Sequence, residues 1–517
     1  MIEQSENKNI KFGILLSYLT MFISIIGTLF VTNRVLNYIG DYNYGLYAFV
    51  TSITSWLTVV SSALTASYLR YATIDSKEGG NTHEPAKINT VYYKLLLYIG
   101  IAILVVGGIV LFFLYNFKVC IGKYDWNDSQ LMYCLFAVTL LNIALTVPTS
   151  IFPLYASFRQ KFIFGKALGI ATTILNFVGH FLIAYFTHDI FYLAAFSLVI
   201  TIISFVSNLI YSKKIGIKFD KVSLLSCKPL VKSILIFSSI LLFNTVVDQI
   251  NSSVDKTLLG IYSTPESVTV YQMGQQFDVY LMTMSVAVSG VFAPRMHALV
   301  VEKNEQALSD LYLKISKAQT IVLCMVAFGF MACGKDFILW WIGPTRIDAF
   351  YVGLVLMLMD LCPLTMNSSI EIQRAMNKHR FRALVYFLVA LSNVLLSILF
   401  LYVFPAEKAI YACLLGSLIA RIGSHWIAMN IYNKKQIRLP VGKYMLTLLM
   451  YMIIGLGCAG ITYLFNYLFI SKISVELARF ILEGIIFLIF YLGVVGLYNR
   501  KSVAAYLSSK RKKRGNR

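Results

Sequence analysis

The chain is 517 residues long, 58% hydrophobic and only 13% charged, with a formal net charge of +21. That balance excludes an ordinary soluble domain. Apolar runs of membrane-spanning length recur from end to end, so the expected fold class is an all-α polytopic membrane protein. The basic excess would suit nucleic acid, but its placement between apolar runs excludes that partner.

The polar N-terminus, 1–11, puts Lys8 and Lys11 just ahead of the first apolar run. A signal peptide begins in the same way. The run from Phe12 to Val31 is long, however, and no small-residue cleavage site follows, so a retained first helix is expected. About fourteen spans are predicted, near 12–32, 44–69, 91–116, 131–154, 164–186, 189–211, 231–251, 270–293, 315–342, 349–370, 383–404, 409–431, 444–470 and 477–498. With the N-terminus placed in the cytoplasm and sides alternating, roughly 35 of the 45 basic residues fall on the cytoplasmic side. They include Lys213, Lys214, Lys218, Lys221, Lys228 and Lys232 after the sixth span. Lys510, Arg511, Lys512, Lys513 and Arg514 lie in the tail, a candidate for anionic-lipid contact. Both termini are therefore expected in the cytoplasm.

An internal repeat runs at an offset of roughly 220 residues. Ile210-Tyr211-Ser212-Lys213-Lys214 matches Ile431-Tyr432-Asn433-Lys434-Lys435, and Ala156 to Phe162 matches Ala375 to Phe381 as A-x-x-basic-x-basic-F. Gly40 pairs with Gly260, and Arg70 with Arg295. An even number of helices per repeat makes the halves parallel. The expected organisation is a six-helix lobe over 12–214, a basic linker over 215–232 and a second six-helix lobe over 233–435. Two extra helices follow over 436–498, then a basic tail over 499–517.

Four spans carry polar stripes. The first has Ser17, Ser24, Thr28 and Thr32, and the second has Thr51, Ser55, Thr58, Ser62 and Thr65. In the seventh, Asn244, Asp248, Ser252 and Asp255 fall at helical spacing. The eighth has Gln275, Asp278, Met282, Ser285 and Ser289. Small hydroxyls also serve helix packing, so each stripe has two readings: a packed seam or the wall of a polar cavity. A carboxylate at the depth of Asp248 is costly and favours a bundle interior or a water-filled cavity; a solvated helix end is the alternative for it and, more strongly, for Asp255 nearer the boundary. Other charges within spans are Asp360 in the tenth, Arg421 in the twelfth with His425 one turn on, and Glu483 in the fourteenth. His180 reads as a hydrogen-bonded packing residue. Pro148, Pro153, Pro294 and Pro363 lie in or beside spans, where they can kink helices.

No Walker loop, H-E-x-x-H or Gly-rich dinucleotide turn occurs, and no exterior loop is long enough for a catalytic domain, so no enzyme activity, catalytic residue or cofactor is expected. The eight cysteines are scattered without a C-x-x-C pair and read as small buried residues, neither disulfide framework nor metal site. Transport energy then comes from an ion gradient, the substrate gradient or a partner.

Thr32-Asn33-Arg34-Val35-Leu36-Asn37-Tyr38-Ile39-Gly40, followed by Tyr44-Gly45-Leu46-Tyr47, marks the first interhelical turn. Asp255-Lys256-Thr257-Leu258-Leu259-Gly260 with Val270-Tyr271 is its counterpart, and Trp340-Trp341-Ile342-Gly343 closes the ninth span. With these segments the chain resembles the polysaccharide transporter family, the O-antigen-type flippases of the multidrug/oligosaccharidyl-lipid/polysaccharide (MOP) superfamily. The resemblance implies two six-helix lobes around a V-shaped cavity, two further helices, and alternating access in the bacterial inner membrane. It implies a polyprenyl-diphosphate-linked oligosaccharide as substrate, with membrane lipids and polysaccharide polymerase or assembly proteins as partners.

A diphosphate asks for cations. Substrate-contact candidates are Arg34 and Lys256 at the outer mouth, Arg70 and Arg295 at the inner mouth, Arg421 in the second lobe, and Gln275. Arg70 and Arg295 also read as topology signals, and Arg421 as a charge neutralised by a neighbouring helix. Candidates for coupling H⁺ or Na⁺ are Asp248, Asp255, Asp278 and Asp360. The alternatives are a cation-coupled multidrug exporter of the same superfamily, against which the lack of a carboxylate in 12–31 counts, and an envelope-assembly scaffold without transport.

Overall fold

The computed structural model describes residues 19–500, apart from 21, 79–84, 118–125, 160, 377, 379 and 471. Ser17, Cys120 and the basic cluster of the tail lie outside the described residues. Those described are almost wholly helical, with no strand among them. A bilayer offers the backbone no water, so each segment satisfies its own amide groups as a helix.

Thirteen of the described helices are long and apolar enough to cross a membrane. In chain order, α1 is Phe22–Ile39, α2 Asp41–Asp75, α3 Ala86–Asn116, α4 Ser129–Phe158, α5 Ile163–Thr187 and α6 Ile190–Lys214. Next come α7, Lys228–Tyr262, and α8, Pro265–Val301. The 37-residue α8 contains the predicted eighth span but falls outside the thirteen. Then follow α9 Glu305–Ile342, α10 Pro344–Ala375, α11 Arg380–Val403, α12 Ala406–Ile437, α13 Val441–Ile470 and α14 Glu476–Tyr498. Local chemistry sets several ends. The Asp189 carboxylate accepts from the Phe191 N–H at 2.9 Å to open α6, and the Asn304 Oδ1 accepts from Ala307 N–H at 3.0 Å to open α9. Gly40 stops α1, its N–H donating to the Leu36 carbonyl.

The chain forms two compact units. The first comprises 1–269 with 398–409, and so includes α7; the second comprises 270–397 with 410–517. In the first, a core built on Tyr68, Tyr92, Leu96 and Ile151 holds α2, α3 and α4 together. Its polar members are satisfied internally: the Tyr68 hydroxyl donates to Asn89 Oδ1 at 2.7 Å, and Ser67 and Tyr92 share a 2.6 Å hydrogen bond. Gly45 allows α2 to meet the start of α8, since a Cβ there would stand 1.8 Å from the Pro265 carbonyl oxygen. Thr269 ties the same junction by donating to the Asp41 carbonyl at 2.7 Å.

The second unit has its own core. Leu323 and Phe328 of α9, Leu361 of α10, Tyr444, Leu448 and Tyr451 of α13, and Phe487 and Tyr491 of α14 contribute to it. The last two helices thus pack into this unit. Arg479 of α14 pairs with Asp336 of α9 at 2.7 Å, and the Asn466 amide donates to Glu483. The described cysteines are free thiols, buried as expected except Cys134 of α4, which is exposed.

Candidate functional site

The hydroxyls of the α2 stripe are satisfied within the helix, and Ser55 also packs on α7. Thr51, Ser55, Thr58, Ser62 and Thr65 each donate to a carbonyl three or four residues back on their own helix. Ser52 also meets Thr257 of α7 at 3.0 Å, and the Gln249 amide of α7 donates to Ser55 at 2.5 Å. At Ser55 the stripe is a packed seam against α7. His180 likewise hydrogen-bonds Ser197 at 3.1 Å, between α5 and α6.

The second unit holds a different arrangement. Asp278 of α8, Asp360 of α10 and Arg421 of α12 converge within it. Arg421 donates to Asp360 Oδ2 in a direct ion pair, with both side chains more than four-fifths buried. Asp278 is buried beside them and interacts electrostatically with both. Its Oδ1 has no hydrogen-bond partner among the described residues. Two carboxylates therefore face one guanidinium at membrane depth. With both ionised, the two carboxylates carry one negative charge more than Arg421 balances. Proton or small-cation exchange is the chemistry that such a cluster supports.

Local sequence features position the three groups. Gly274, one turn before Asp278, lets α8 approach α10 closely: a Cβ there would lie 2.6 Å from the Ala349 carbonyl oxygen and 2.5 Å from Val352. Pro363, inside α10, has no N–H to offer the carbonyl four residues back. That carbonyl belongs to Met359, and the Trp426 indole of α12 donates to it instead, at 3.0 Å. The wide π-turn Ile422–Ala428 directly follows Arg421 and carries Trp426. Such turns interrupt the regular ladder and recur at functional sites. In the same turn His425 hydrogen-bonds Ser424 at 2.8 Å and packs on Tyr386, with ring centroids 4.8 Å apart. The Arg382 guanidinium lies over the Tyr386 ring, 4.6 Å from its centroid.

The remaining candidates lie outside this cluster. Arg34 is exposed on α1. Arg70 is exposed on α2 with its guanidinium 4.2 Å from the Phe237 ring. On α7, Asp248 is exposed, while Asp255 is buried next to the half-buried Lys256. Gln275 is half-buried. Arg295 reaches Glu302 at 3.5 Å, both side chains at least half exposed. Ser285 and Ser289 of the α8 stripe are buried; the Ser285 hydroxyl donates to the Leu364 carbonyl at 2.6 Å and accepts from Asn367 at 2.9 Å. Met282 is exposed, so that stripe does not form one uniform wall. Gly274, Tyr386 and Trp426 were not marked by any charge or motif in the sequence.

A profile of the family described as "Polysaccharide biosynthesis protein" matches residues 38–346. The chain belongs to that family. No curated protein matches it. Among solved structures, this polysaccharide biosynthesis family member is similar to the lipid II flippase MurJ in an inward closed conformation. The TM-score is 0.72 at 17% identity, over 95% of this chain and 100% of that one. It is also similar to a point mutant of the Vibrio cholerae MATE transporter VcmN, with TM-score 0.53 at 12% identity over 86% and 100% of the two chains. A third is a multidrug resistance MATE family transporter of the MOP superfamily, inward-facing, with TM-score 0.55 at 13% identity over 81% and 95%. At these identities the likeness shows the fold. The family member is a multi-pass α-helical membrane protein that shares its fold with these flippase and MATE transporter structures.

Proposed function

We propose that the protein is a flippase that moves a polyprenyl-diphosphate-linked oligosaccharide, the repeat unit of an O-antigen, capsule or exopolysaccharide, to the outer leaflet of the bacterial inner membrane. One coincidence carries this reading. The polysaccharide biosynthesis match covers 38–346, and the fold over 95% of the chain is that of a protein whose name states a lipid-linked substrate. Transport is by alternating access of two parallel six-helix lobes, and the protein performs no covalent chemistry. Both termini lie in the cytoplasm, on the side of the Lys-rich connections. Arg34, Arg70, Lys256, Gln275 and Arg295 supply contacts to the diphosphate-sugar head along its route, and polysaccharide polymerase or assembly proteins take up the product.

The cluster of Asp278, Asp360 and Arg421 provides the coupling. An H⁺ or Na⁺ that neutralises the extra carboxylate in one state and leaves in the other links an ion gradient to export. In this role Arg421 acts through the ion site and not on the substrate. Asp248 and Asp255 are secondary coupling candidates on α7. Deleting the gene in its host and scoring surface glycan tests the function. Loss of surface glycan with accumulation of lipid-linked repeat unit, restored by the gene in trans, is expected. Unchanged glycan with raised sensitivity to cationic drugs would instead support the exporter reading, which the MATE-like fold also accommodates.

A further inference from the structure

The connection between α6 and α7 does not hang free. Four polar contacts strap it to the first turns of α3. Asn89 Nδ2 donates to the Lys218 carbonyl at 3.0 Å, and the Asp220 N–H donates to Thr90 Oγ1 at 2.8 Å. Thr90 Oγ1 also lies 3.1 Å from the Asp220 carbonyl, and Lys94 Nζ donates to the Val222 carbonyl at 2.6 Å. Tyr93 meets Phe219 edge to face, with ring centroids 5.7 Å apart. The strap roofs a cavity of about 720 Å³ in the first unit. Its lining is mostly apolar, including Phe152, Leu209, Ile217 and Val222, and it contains Lys94, Lys213 and Lys221 against a single carboxylate, Asp220.

The strap also leaves large apolar side chains outside. Phe219 is 43% exposed and Leu225 73% exposed, interleaved with Lys218, Lys221 and Lys228. Apolar side chains among lysines at the end of membrane-spanning helices suit a segment lying in the headgroup layer. An apolar cavity with a cationic rim at that depth matches a phosphate head with an acyl chain attached. It does not match a fully hydrated ion, which would leave the apolar walls unused.

We infer that the cavity between the 215–227 strap and the helices α3, α4 and α6 is a binding site for an anionic glycerophospholipid, its phosphate held by Lys213 and Lys221 and its acyl chain against Phe152 and Leu209. Lys94 is already committed to the strap and holds the roof. The site is independent of the transport reading, because it lies within one unit and uses none of the groups assigned to substrate or ion.

The test is lipid binding by the purified full-length protein, followed by native mass spectrometry and thermal stability, with phosphatidylglycerol, phosphatidylcholine, inorganic phosphate and polyprenyl diphosphate as separate probes. Phosphatidylglycerol should bind and raise the melting temperature, whereas phosphatidylcholine and millimolar phosphate should not. Each lysine near an anionic head contributes on the order of a fivefold change in affinity. The double variant Lys213→Gln/Lys221→Gln should therefore bind phosphatidylglycerol roughly twentyfold more weakly. Lys434→Gln/Lys435→Gln, at the positions that match Lys213 and Lys214 in the second repeat, should bind as wild type does. Equal binding of both phospholipids by the wild type overturns the proposal without recourse to any variant. An equal response to free phosphate makes the site a simple anion site, and displacement by polyprenyl diphosphate makes it a substrate site; either result overturns the lipid assignment.

Discussion

Asp278, Asp360 and Arg421 do unlike things although they share one cluster. Arg421 and Asp360 are a buried pair, and removing one partner leaves the other uncompensated at a cost of about 3–5 kcal/mol. Arg421→Met and Asp360→Asn should thus lower the melting temperature and the amount of protein in the membrane. Asp278 is the surplus carboxylate. Asp278→Asn keeps its shape and removes the charge that a coupling ion would neutralise, so the variant should accumulate normally, keep its melting temperature and fail to transport. Thermal unfolding of the purified variants, read beside surface glycan in the deletion host, separates these outcomes. Full transport by Asp278→Asn would remove it from the coupling step. Each of these charges was visible in the sequence as a mid-span exception. Their convergence was not, because spacing along one helix says nothing about which neighbour it faces. Trp426 was invisible for a related reason: its role exists only because Pro363, on another helix, frees the Met359 carbonyl.

At the scale of elements, the apolar runs made the helices legible, since a bilayer admits few other backbone solutions. What the runs could not convey is the use to which polar stripes are put. In α2 the regular Ser/Thr spacing reads equally as a cavity wall or a seam. In the structure each hydroxyl of the stripe closes onto its own helix, and Ser55 also meets α7, which makes that part of the stripe a packed seam. The strap over 215–227 was legible only as a run of lysines; its hydrogen bonds to α3 depend on Asn89, Thr90 and Lys94, some 130 residues earlier. The same lysines set an orientation. With a single cysteine placed at Lys218 in an otherwise cysteine-free protein, an impermeant thiol reagent should leave intact cells unlabelled and label inverted membrane vesicles. Labelling of intact cells would reverse the assignment of sides.

For the whole molecule, the proposed movement of a lipid-linked saccharide rests on family membership and fold, and the proposed coupling to an ion gradient rests on the cluster in the second unit. A chain without a nucleotide-binding motif in its sequence needs such a source if it works against a gradient. The decisive measurement is translocation in proteoliposomes of the purified protein, with a fluorescent polyprenyl-diphosphate oligosaccharide in one leaflet and an imposed proton or sodium gradient. The account predicts accumulation of the labelled lipid in the opposite leaflet, dependent on one of the two gradients and abolished by Asp278→Asn. Absence of lipid movement under either gradient, with gradient-driven uptake of a cationic dye by the same vesicles, would contradict it.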